Sequence, residues 1–119
     1  MVTATTKGLS RAHEIYADRG RRMRELRKAG KKIIGYICLY PPIEIITAMG
    51  MVPFRIFGDM SEPITAADQV STTVVCPFLR SIIDLGIKGK FDFLDGAVGA
   101  HTCDIGMTTI IAWRDYIKD

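Results

Sequence analysis

Three cysteines carry the clearest potential for chemistry in this sequence. Cys38, Cys76 and Cys103 are separated by 37 and 26 intervening residues. A zinc site usually shows closely spaced pairs such as Cys-x-x-Cys, and a thiol redox domain uses the same motif, so neither is indicated. Long gaps suit an iron–sulfur cluster whose thiolates arrive from separate loops of a preformed fold. The alternative for each cysteine is a small hydrophobic residue in the core.

Motifs for other common chemistries are absent from the sequence. It contains no phosphate-binding Gly-x-x-x-x-Gly-Lys-Ser/Thr loop, no Gly-x-Gly-x-x-Gly after a strand and no Gly-x-Ser-x-Gly elbow. These absences argue against nucleotide hydrolysis and serine esterase chemistry. Of the two histidines, His13 falls in an N-terminal helical pattern far from any cysteine, whereas His101 lies two residues before Cys103. His101 is therefore the histidine that we expect near a cysteine site.

Short apolar runs, with helical patterns between them, predict the elements that position these residues. Such runs are typical of strands buried on both faces of a parallel sheet. The predicted strands are residues 31–38, 51–57 and 93–98. The predicted helices are residues 42–49, residues 66–70, a helix that begins at Cys76-Pro77 and ends at Gly86 or Gly89, and residues 105–117. This alternation predicts an α/β fold, in which a parallel sheet is flanked by helices in a Rossmann-like or flavodoxin-like three-layer sandwich.

The predicted elements bring the three cysteines together. Cys38 ends the first predicted strand, and Cys103 follows the third. Cys76 precedes Pro77, a residue that suits the first turn of the helix leading into the third strand. Ligands of such folds bind outside the carboxyl ends of the strands. The sequence therefore predicts that all three thiols lie at one edge of the sheet.

Most of the positive charge lies in one N-terminal segment. Residues 7–32 hold ten basic and three acidic residues, whereas the whole chain has a net charge of +3. Apolar positions spaced by three, four and seven residues predict one long helix here, capped by Ser10 and ended by Gly30. A solvated helix face explains the charge better than a nucleic-acid site. A phosphate-bearing ligand and an acidic partner are further alternatives.

Length and composition predict a single domain over residues 1–119, with residues 1–30 as a basic helical lead-in. A chain of 119 residues that is 48% hydrophobic supports one sizeable core. No apolar run approaches the roughly 20 residues needed to cross a bilayer. Residues 1–9 also lack the apolar centre of a signal peptide. We therefore expect no membrane partner and a cytoplasmic location, where cysteines stay reduced.

Four segments carry a resemblance to a known family. They are residues 35–46, residues 48–55, the segment Cys76-Pro77-Phe78-Leu79-Arg80-Ser81, and the stretch from Asp95-Gly96-Ala97-Val98 to His101-Thr102-Cys103-Asp104. These segments resemble the 2-hydroxyacyl-CoA dehydratase and benzoyl-CoA reductase family. The resemblance implies a cubane 4Fe-4S cluster bound by three cysteines per subunit, and two of the family's cysteine motifs fall on Cys76 and Cys103.

The resemblance covers only the N-terminal lobe of a family subunit. The third cysteine ligand of the family normally comes from a C-terminal domain, so Cys38 is the candidate for a third thiolate here. A fragment, a split subunit and a relic that no longer holds a cluster are the alternatives. In addition, residues 41–44 read Pro-Pro-Ile-Glu where many members resemble Val-Pro-Glu-Glu, so Glu44 alone keeps a carboxylate.

The resemblance also implies a reaction and its partners. In the dehydratases an ATP-dependent activator protein delivers one electron to the cluster, a ketyl radical anion of the 2-hydroxyacyl-CoA forms, and water leaves. Glu44 and His101 are then the candidates for proton transfer, against a solvent-facing carboxylate and a loop-capping residue as alternatives. A second dehydratase or reductase subunit is the implied partner. Electron transfer of the benzoyl-CoA reductase type, and a non-catalytic lobe that docks on a partner subunit, are the alternative functions.

Overall fold

Three parallel strands form the centre of the molecule. The computed structural model describes residues 7–117. Its sheet has the order β2-β1-β3, with β1 at Ile33–Ile37, β2 at Val52–Arg55 and β3 at Gly96–Gly99. Both pairings of β1 are parallel, which confirms the predicted α/β architecture. Residues 1–6 of the predicted lead-in and residues 118–119 lie outside the described residues.

Helices connect and flank the strands. They are α1 at Lys7–Ala17, α2 at Arg21–Lys28, α3 at Ile43–Ala48, α4 at Pro77–Ile87 and α5 at Asp104–Ala112, with a 3₁₀ helix at Ala67–Gln69 and a π-helical turn at Trp113–Ile117. α4 begins where predicted, because Pro77 lacks an N–H that would be left unpaired in the first turn. No helix among residues 7–117 combines the length and the apolar character needed to span a membrane.

The predicted single N-terminal helix is wrong, because the chain breaks between α1 and α2. Residues 18–20 form a turn, and Ser10 lies inside α1 rather than at its start. Gly20 is buried, and a Cβ atom there would come within 2.9 Å of the Phe93 ring. After this turn, Met23 and Leu26 of α2 pack against the core as partly buried residues, whereas α1 has no buried residue. The predicted end of the helical segment is confirmed, since Gly30 has a left-handed φ of +84°.

One face of the sheet carries the main core. Paired residues of parallel strands point the same way, so Gly35 of β1 shares a face with Phe54 of β2. A Cβ atom at Gly35 would lie 2.7 Å from Cδ1 of both Ile56 and Leu94, so only glycine fits there. The buried members of this core are Ile33, Ile37, Phe54, Ile56, Leu79, Ile82, Leu85, Phe91, Phe93, Leu94 and Trp113. Burying each large side chain of this kind stabilises the fold by about 1.5–3 kcal/mol.

The third strand begins later than predicted. The apolar run starts at Phe93, but Phe93 lies in a turn and the strand begins at Gly96. Phe93 is buried and meets Phe54 edge to face, with 5.0 Å between ring centroids. The apolar character of this turn therefore reflects packing against the sheet rather than extended backbone. The other two strands fall inside their predicted bounds.

A buried aspartate fastens the loop before α4 to the helix itself. Oδ1 of Asp84 accepts hydrogen bonds from the backbone N–H groups of Thr65, Ala66 and Ala67 at 2.6–3.1 Å. Its Oδ2 lies 2.5 Å from Nζ of Lys88. Burial raises the pKa of Asp84, but Lys88 and the three N–H groups outweigh burial and hold this pKa below its ordinary value. The carboxylate therefore stabilises the connection between β2 and α4.

Candidate functional site

The carboxyl edge of the sheet gathers the predicted site residues. β1 and β3 end at this edge because they are parallel, and α4 and α5, which run back along the sheet, begin there. Cys38 directly follows β1. Cys76 and Cys103 are the residues immediately before α4 and α5. The chain topology thus brings the three thiols to one edge of the sheet.

Cys103 caps the N-terminus of α5 with its sulfur. The backbone N–H of Gly106 donates a hydrogen bond to Sγ of Cys103 at 3.2 Å. The Cys103 backbone is extended, with φ at −160°. A donated N–H and the positive end of the helix dipole both offset negative charge on a sulfur that holds a metal. The Cys103 side chain stays exposed, so an incoming group has access to it.

Cys38 has an unusual backbone and a polar neighbour. Its φ is +67°, in the left-handed region that favours glycine. The Thr102 hydroxyl donates to Sγ of Cys38, with 3.7 Å between Oγ1 and Sγ. This contact joins the end of β1 to the loop that carries Cys103. The half-buried Cys38 thiol therefore faces the same loop as the Cys103 motif.

Cys76 is the residue directly before α4. It is exposed, and its thiol forms no capping hydrogen bond. Its carbonyl accepts the Arg80 N–H at 3.0 Å, which begins the hydrogen-bond ladder of α4. The Arg80 guanidinium in turn forms an ion pair with Asp68 of the 3₁₀ helix. Helix α4 fixes the backbone at Cys76, and the exposed sulfur is accessible to a ligand.

The two candidate proton-transfer residues are exposed and lie on different elements. His101 is in the loop after β3, with its Nε2 3.8 Å from Oδ1 of Asp104. Glu44 lies in the first turn of α3, and its carboxylate forms no hydrogen bond or ion pair with the other residues of the 7–117 range. His101 is thus in the same loop as Cys103. Glu44 belongs to a different element, the first turn of α3, and does not share a loop with a cysteine motif.

Exposed apolar side chains flank the thiols. Leu39 and Tyr40, which follow Cys38, are 76% and 77% exposed. Val74, two residues before Cys76, is 91% exposed, and Phe78 in the first turn of α4 is 41% exposed. We call Leu39, Tyr40, Val74 and Phe78 the apolar rim. Apolar surface beside reactive polar groups is typical of a ligand site or an interface.

The donor chemistry of this edge fits an iron–sulfur cluster only in part. Thiolates are the usual ligands of such clusters, and three are present. Within residues 7–117, however, no group of three or more His, Cys, Asp or Glu side chains is close enough to hold a metal ion. The edge therefore offers thiol ligands but does not assemble a complete metal site from the described side chains.

Thr102 is a site residue that the sequence patterns did not single out. Only its position between His101 and Cys103 indicated a role, because a contact with the end of β1 cannot be seen from the sequence.

A separate cavity of about 320 Å³ lies at the α1–α2 junction and has no cysteine in its lining. Its Arg19 is stacked on the Phe57 ring at 3.6 Å. The carboxyl edge is therefore the candidate functional site.

The residues of this candidate site fall within a range of the sequence that matches a known protein family. Residues 38–118 match the family described as 2-hydroxyglutaryl-CoA dehydratase, D-component. The matched range contains Cys38, Cys76 and Cys103, both candidate proton-transfer residues, and the strands β2 and β3. The whole basic segment, residues 7–32, and all of β1 lie before it.

Individual relatives support the same assignment. The chain is 36% identical to a benzoyl-CoA reductase subunit of Thauera aromatica over 71% of its length. It is 29% identical to the (R)-phenyllactyl-CoA dehydratase beta subunit of Clostridium sporogenes over 69% of its length. With the beta subunit of (R)-2-hydroxyglutaryl-CoA dehydratase of Acidaminococcus fermentans it shares 29% identity over 63%. These matches cover 20–22% of the relatives, so the chain spans about a fifth of their length. The chain belongs to the 2-hydroxyglutaryl-CoA dehydratase D-component family.

Proposed function

We propose that this chain supplies part of the iron–sulfur site of a dehydratase that removes water from a 2-hydroxyacyl-CoA after one-electron reduction. One observation carries the proposal. The two cysteines that match the family motifs, Cys76 and Cys103, are both exposed and both precede helices that start at the carboxyl edge and pack against each other. Because the chain spans about a fifth of its relatives, further ligands come from polypeptide outside these residues.

In this proposal, all three thiols hold iron, and two of them have a supporting group in this chain. Cys76 and Cys103 hold iron as thiolates, and Cys38 is the candidate third ligand. When bound, the cluster supplies the single electrons that the reaction needs. The Gly106 N–H offsets negative charge at the Cys103 sulfur. Thr102 holds the Cys38 sulfur in place through its hydroxyl.

Proton transfer falls to the two exposed side chains at this edge. His101 holds or releases a proton at Nε2, which lies 3.8 Å from Oδ1 of Asp104 in the loop that also carries Cys103. Glu44 is the second candidate. The apolar rim takes the acyl chain of the substrate and keeps water from the reacting groups, which suits a CoA thioester better than a sugar or a nucleotide.

The partners follow from the same proposal. The relatives are named as subunits of dehydratases and of a reductase, so a second dehydratase or reductase subunit is the proposed partner of this chain. An ATP-dependent activator protein is the proposed electron donor, and an acyl-CoA is the substrate. A cytoplasmic location stays a prediction from the sequence.

Electron transfer of the benzoyl-CoA reductase type is the second candidate function. It is favoured by the 36% identity with the benzoyl-CoA reductase subunit of Thauera aromatica. The same thiols would hold the cluster, and the difference would lie in the acceptor, an aromatic ring instead of a 2-hydroxyacyl chain. Turnover of the assembled complex with a 2-hydroxyacyl-CoA or with benzoyl-CoA separates the two functions. A non-catalytic docking lobe, the third alternative, would turn over neither.

A short bifunctional thiol reagent tests whether the matched cysteines share a site. Treatment of the anaerobic chain with dibromobimane should bridge Cys76 and Cys103 and give a fluorescent product that mass spectrometry maps to these residues. The product should disappear in Cys76→Ser and Cys103→Ser. Cys38→Ser is the matched control and should keep it. Failure to bridge Cys76 with Cys103 would show that they do not serve one cluster.

Reconstitution tests the ligand count. The isolated chain should take up iron and sulfide weakly, lose them on desalting, and show no turnover with an activator and a 2-hydroxyacyl-CoA, because the two thiolates of Cys76 and Cys103 leave two irons of a four-iron cluster without a protein ligand. EPR and iron analysis measure this. A stable cluster that turns over in the isolated chain would contradict the proposal that ligands come from outside.

A further inference from the structure

The cavity at the α1–α2 junction has a floor of aromatic rings. Phe54, Phe57, Phe91 and Phe93 all line it, and each ring contacts the next, with centroids 5.0–6.5 Å apart. Rings arranged in this way offer both faces and edges to a further ring. The cavity volume of about 320 Å³ lies at the lower end of the range for ligand pockets, roughly 300–1,000 Å³. This size suits a single ring with a short polar group better than a nucleotide.

The rim of the cavity carries equal numbers of positive and negative side chains. They are Arg19, Arg24 and Lys90 on the positive side and Asp18, Asp59 and Glu62 on the negative side. Nη2 of Arg24 lies 2.5 Å from Oδ2 of Asp18. Nζ of Lys90 lies 3.2 Å from Oε1 of Glu62. Within residues 7–117, Arg19 and Asp59 form no ion pair, so one cation and one anion of the rim are left for a ligand.

The Arg19 side chain is held in a position from which it can bind a carboxylate. Its guanidinium lies over the Phe57 ring at 3.6 Å and over the Tyr16 ring at 4.7 Å, measured to the ring centroids. A guanidinium that stacks on a ring keeps its N–H groups in its own plane, where two of them can donate to one carboxylate. Among residues 7–117 the Arg19 guanidinium has no hydrogen-bond acceptor. Its donors are therefore available.

Asp59 has one carboxylate oxygen available to a ligand. The hydroxyl and the N–H of Ser61 both donate to Oδ1, at 2.6 and 2.9 Å. Oδ2 accepts no hydrogen bond from the part of the chain that the structure describes. The bonds from Ser61 hold the pKa of Asp59 below its ordinary value, and the Arg19 cation also lowers it. Asp59 thus presents a charged oxygen that suits an ammonium group.

We propose that this cavity binds an aromatic α-amino acid as a zwitterion. The ring packs among the four phenylalanines, the carboxylate accepts hydrogen bonds from Arg19, and the ammonium donates to Oδ2 of Asp59. A second cavity of about 430 Å³ adjoins the first, and Arg19 and Asp59 line both, so these two charges lie where the cavities meet. A head group bound there leaves the aromatic cavity to the ring. A ligand with only one charge would leave the other rim charge unpaired.

Titration of the full chain with L-phenylalanine tests the proposal. In proton–nitrogen correlation NMR spectra, the amide signals of Arg19, Gly20 and Asp59 should shift and saturate at one ligand per chain. Phenylpropionate lacks the ammonium, phenethylamine lacks the carboxylate and L-alanine lacks the ring. Each should bind about tenfold more weakly or less, because a charge-assisted hydrogen bond or the ring contact is lost. Absence of saturation with L-phenylalanine, or equal binding of any of the three analogues, would overturn the proposal.

Variants of the two rim charges test the same contacts from the protein side. Arg19→Gln and Asp59→Asn should each weaken the binding of L-phenylalanine about tenfold or more. Arg22→Gln removes an exposed cation that pairs with Glu25 outside the cavity, and Asp115→Asn removes an exposed anion, so both controls should bind normally. Equal weakening by Arg22→Gln and Arg19→Gln would overturn the proposal, because only net charge would then matter. If a rim variant does not fold, the analogues on the unmodified chain decide. The cavity lining has no cysteine, so the outcome does not depend on the iron–sulfur proposal.

Discussion

The Thr102 hydroxyl donates a hydrogen bond to the Cys38 sulfur across 3.7 Å, and the two residues are 64 positions apart in the chain. The contact connects the end of the central strand to the loop that carries Cys103. Movement of that loop is thereby coupled to the backbone of β1.

Replacing Thr102 by valine should make the Cys38 thiol more accessible. Thr102→Val keeps the side-chain shape but removes the donor, and a hydrogen bond of about 0.5–1.5 kcal/mol corresponds to a two- to tenfold change in rate. Alkylation of Cys38 by iodoacetamide, followed by peptide mass mapping with Cys76 as internal reference, measures the change. Thr108→Val, which removes a hydroxyl bonded to the Asp104 carbonyl, is the control and should leave Cys38 unaffected. Equal Cys38 rates in both variants would contradict the contact.

At position 38 glycine should stabilise the chain more than alanine does. The left-handed φ of +67° costs a residue with a Cβ atom about 1–2 kcal/mol, and glycine avoids that cost. In urea unfolding, the free energy of unfolding of Cys38→Gly should therefore be about 1 kcal/mol higher than that of Cys38→Ala. In an ordinary strand or helix the order is the opposite, so a more stable alanine variant would show that the backbone at Cys38 is not left-handed.

Alanine at Gly35 should destabilise the core. The added Cβ atom would lie 2.7 Å from side-chain carbons of Ile56 and Leu94, and such overpacking typically costs about 1–3 kcal/mol. Gly96→Ala is a matched control in the neighbouring strand, because its Cβ atom would have ordinary contact with Ile34 at 3.7 Å. In thermal unfolding, the melting temperature should fall clearly for Gly35→Ala and change little for Gly96→Ala. Equal losses would refute the packing argument.

Acid should remove the stability contributed by Asp84. Its pKa in the folded chain lies below the ordinary 3.8, so the carboxylate stabilises the fold fully above that value and the contribution disappears as the pH falls through the folded pKa. Asp84→Asn should therefore lower the free energy of unfolding by about 1.5–3 kcal/mol at pH 7. The difference in unfolding free energy between this variant and the unmodified chain should become smaller below pH 4. Asp115→Asn, which touches only an exposed ion pair, should change little. A gap that does not depend on pH would rule out this role.

The sequence was most informative where one local rule decided the structure. The β1 run is continuously apolar, and Pro77 fixes the start of α4, so both were predictable. The break at Gly20 was not, because the apolar spacing continues through it and only the distant Phe93 ring requires the turn. The same holds for the Thr102 contact, which depends on the register of strands 62 positions apart. Local patterns indicated which elements form, and long-range packing decided where they end.

The site could be predicted as a set of residues at one edge, but not as an arrangement. Strand ends and a proline-headed helix were enough to bring Cys38, Cys76 and Cys103 to the same side. The left-handed backbone at Cys38 and the Gly106 hydrogen bond to Cys103 depend on how the loops close. The conformation of a loop depends on many weak contacts at once, and no single residue type in the sequence predicts it.

The central position of β1 has a consequence for the chain while it is being synthesised. β1 pairs with β2 only 19 positions later, but its other neighbour, Gly96, emerges 62 positions after Ile34. During that interval one side of an apolar strand stays unpaired and open to chaperones or to aggregation. Substitutions that delay α4, the element that must form before β3 can return to β1, should therefore lower the yield of soluble protein more than they lower the stability of the finished fold.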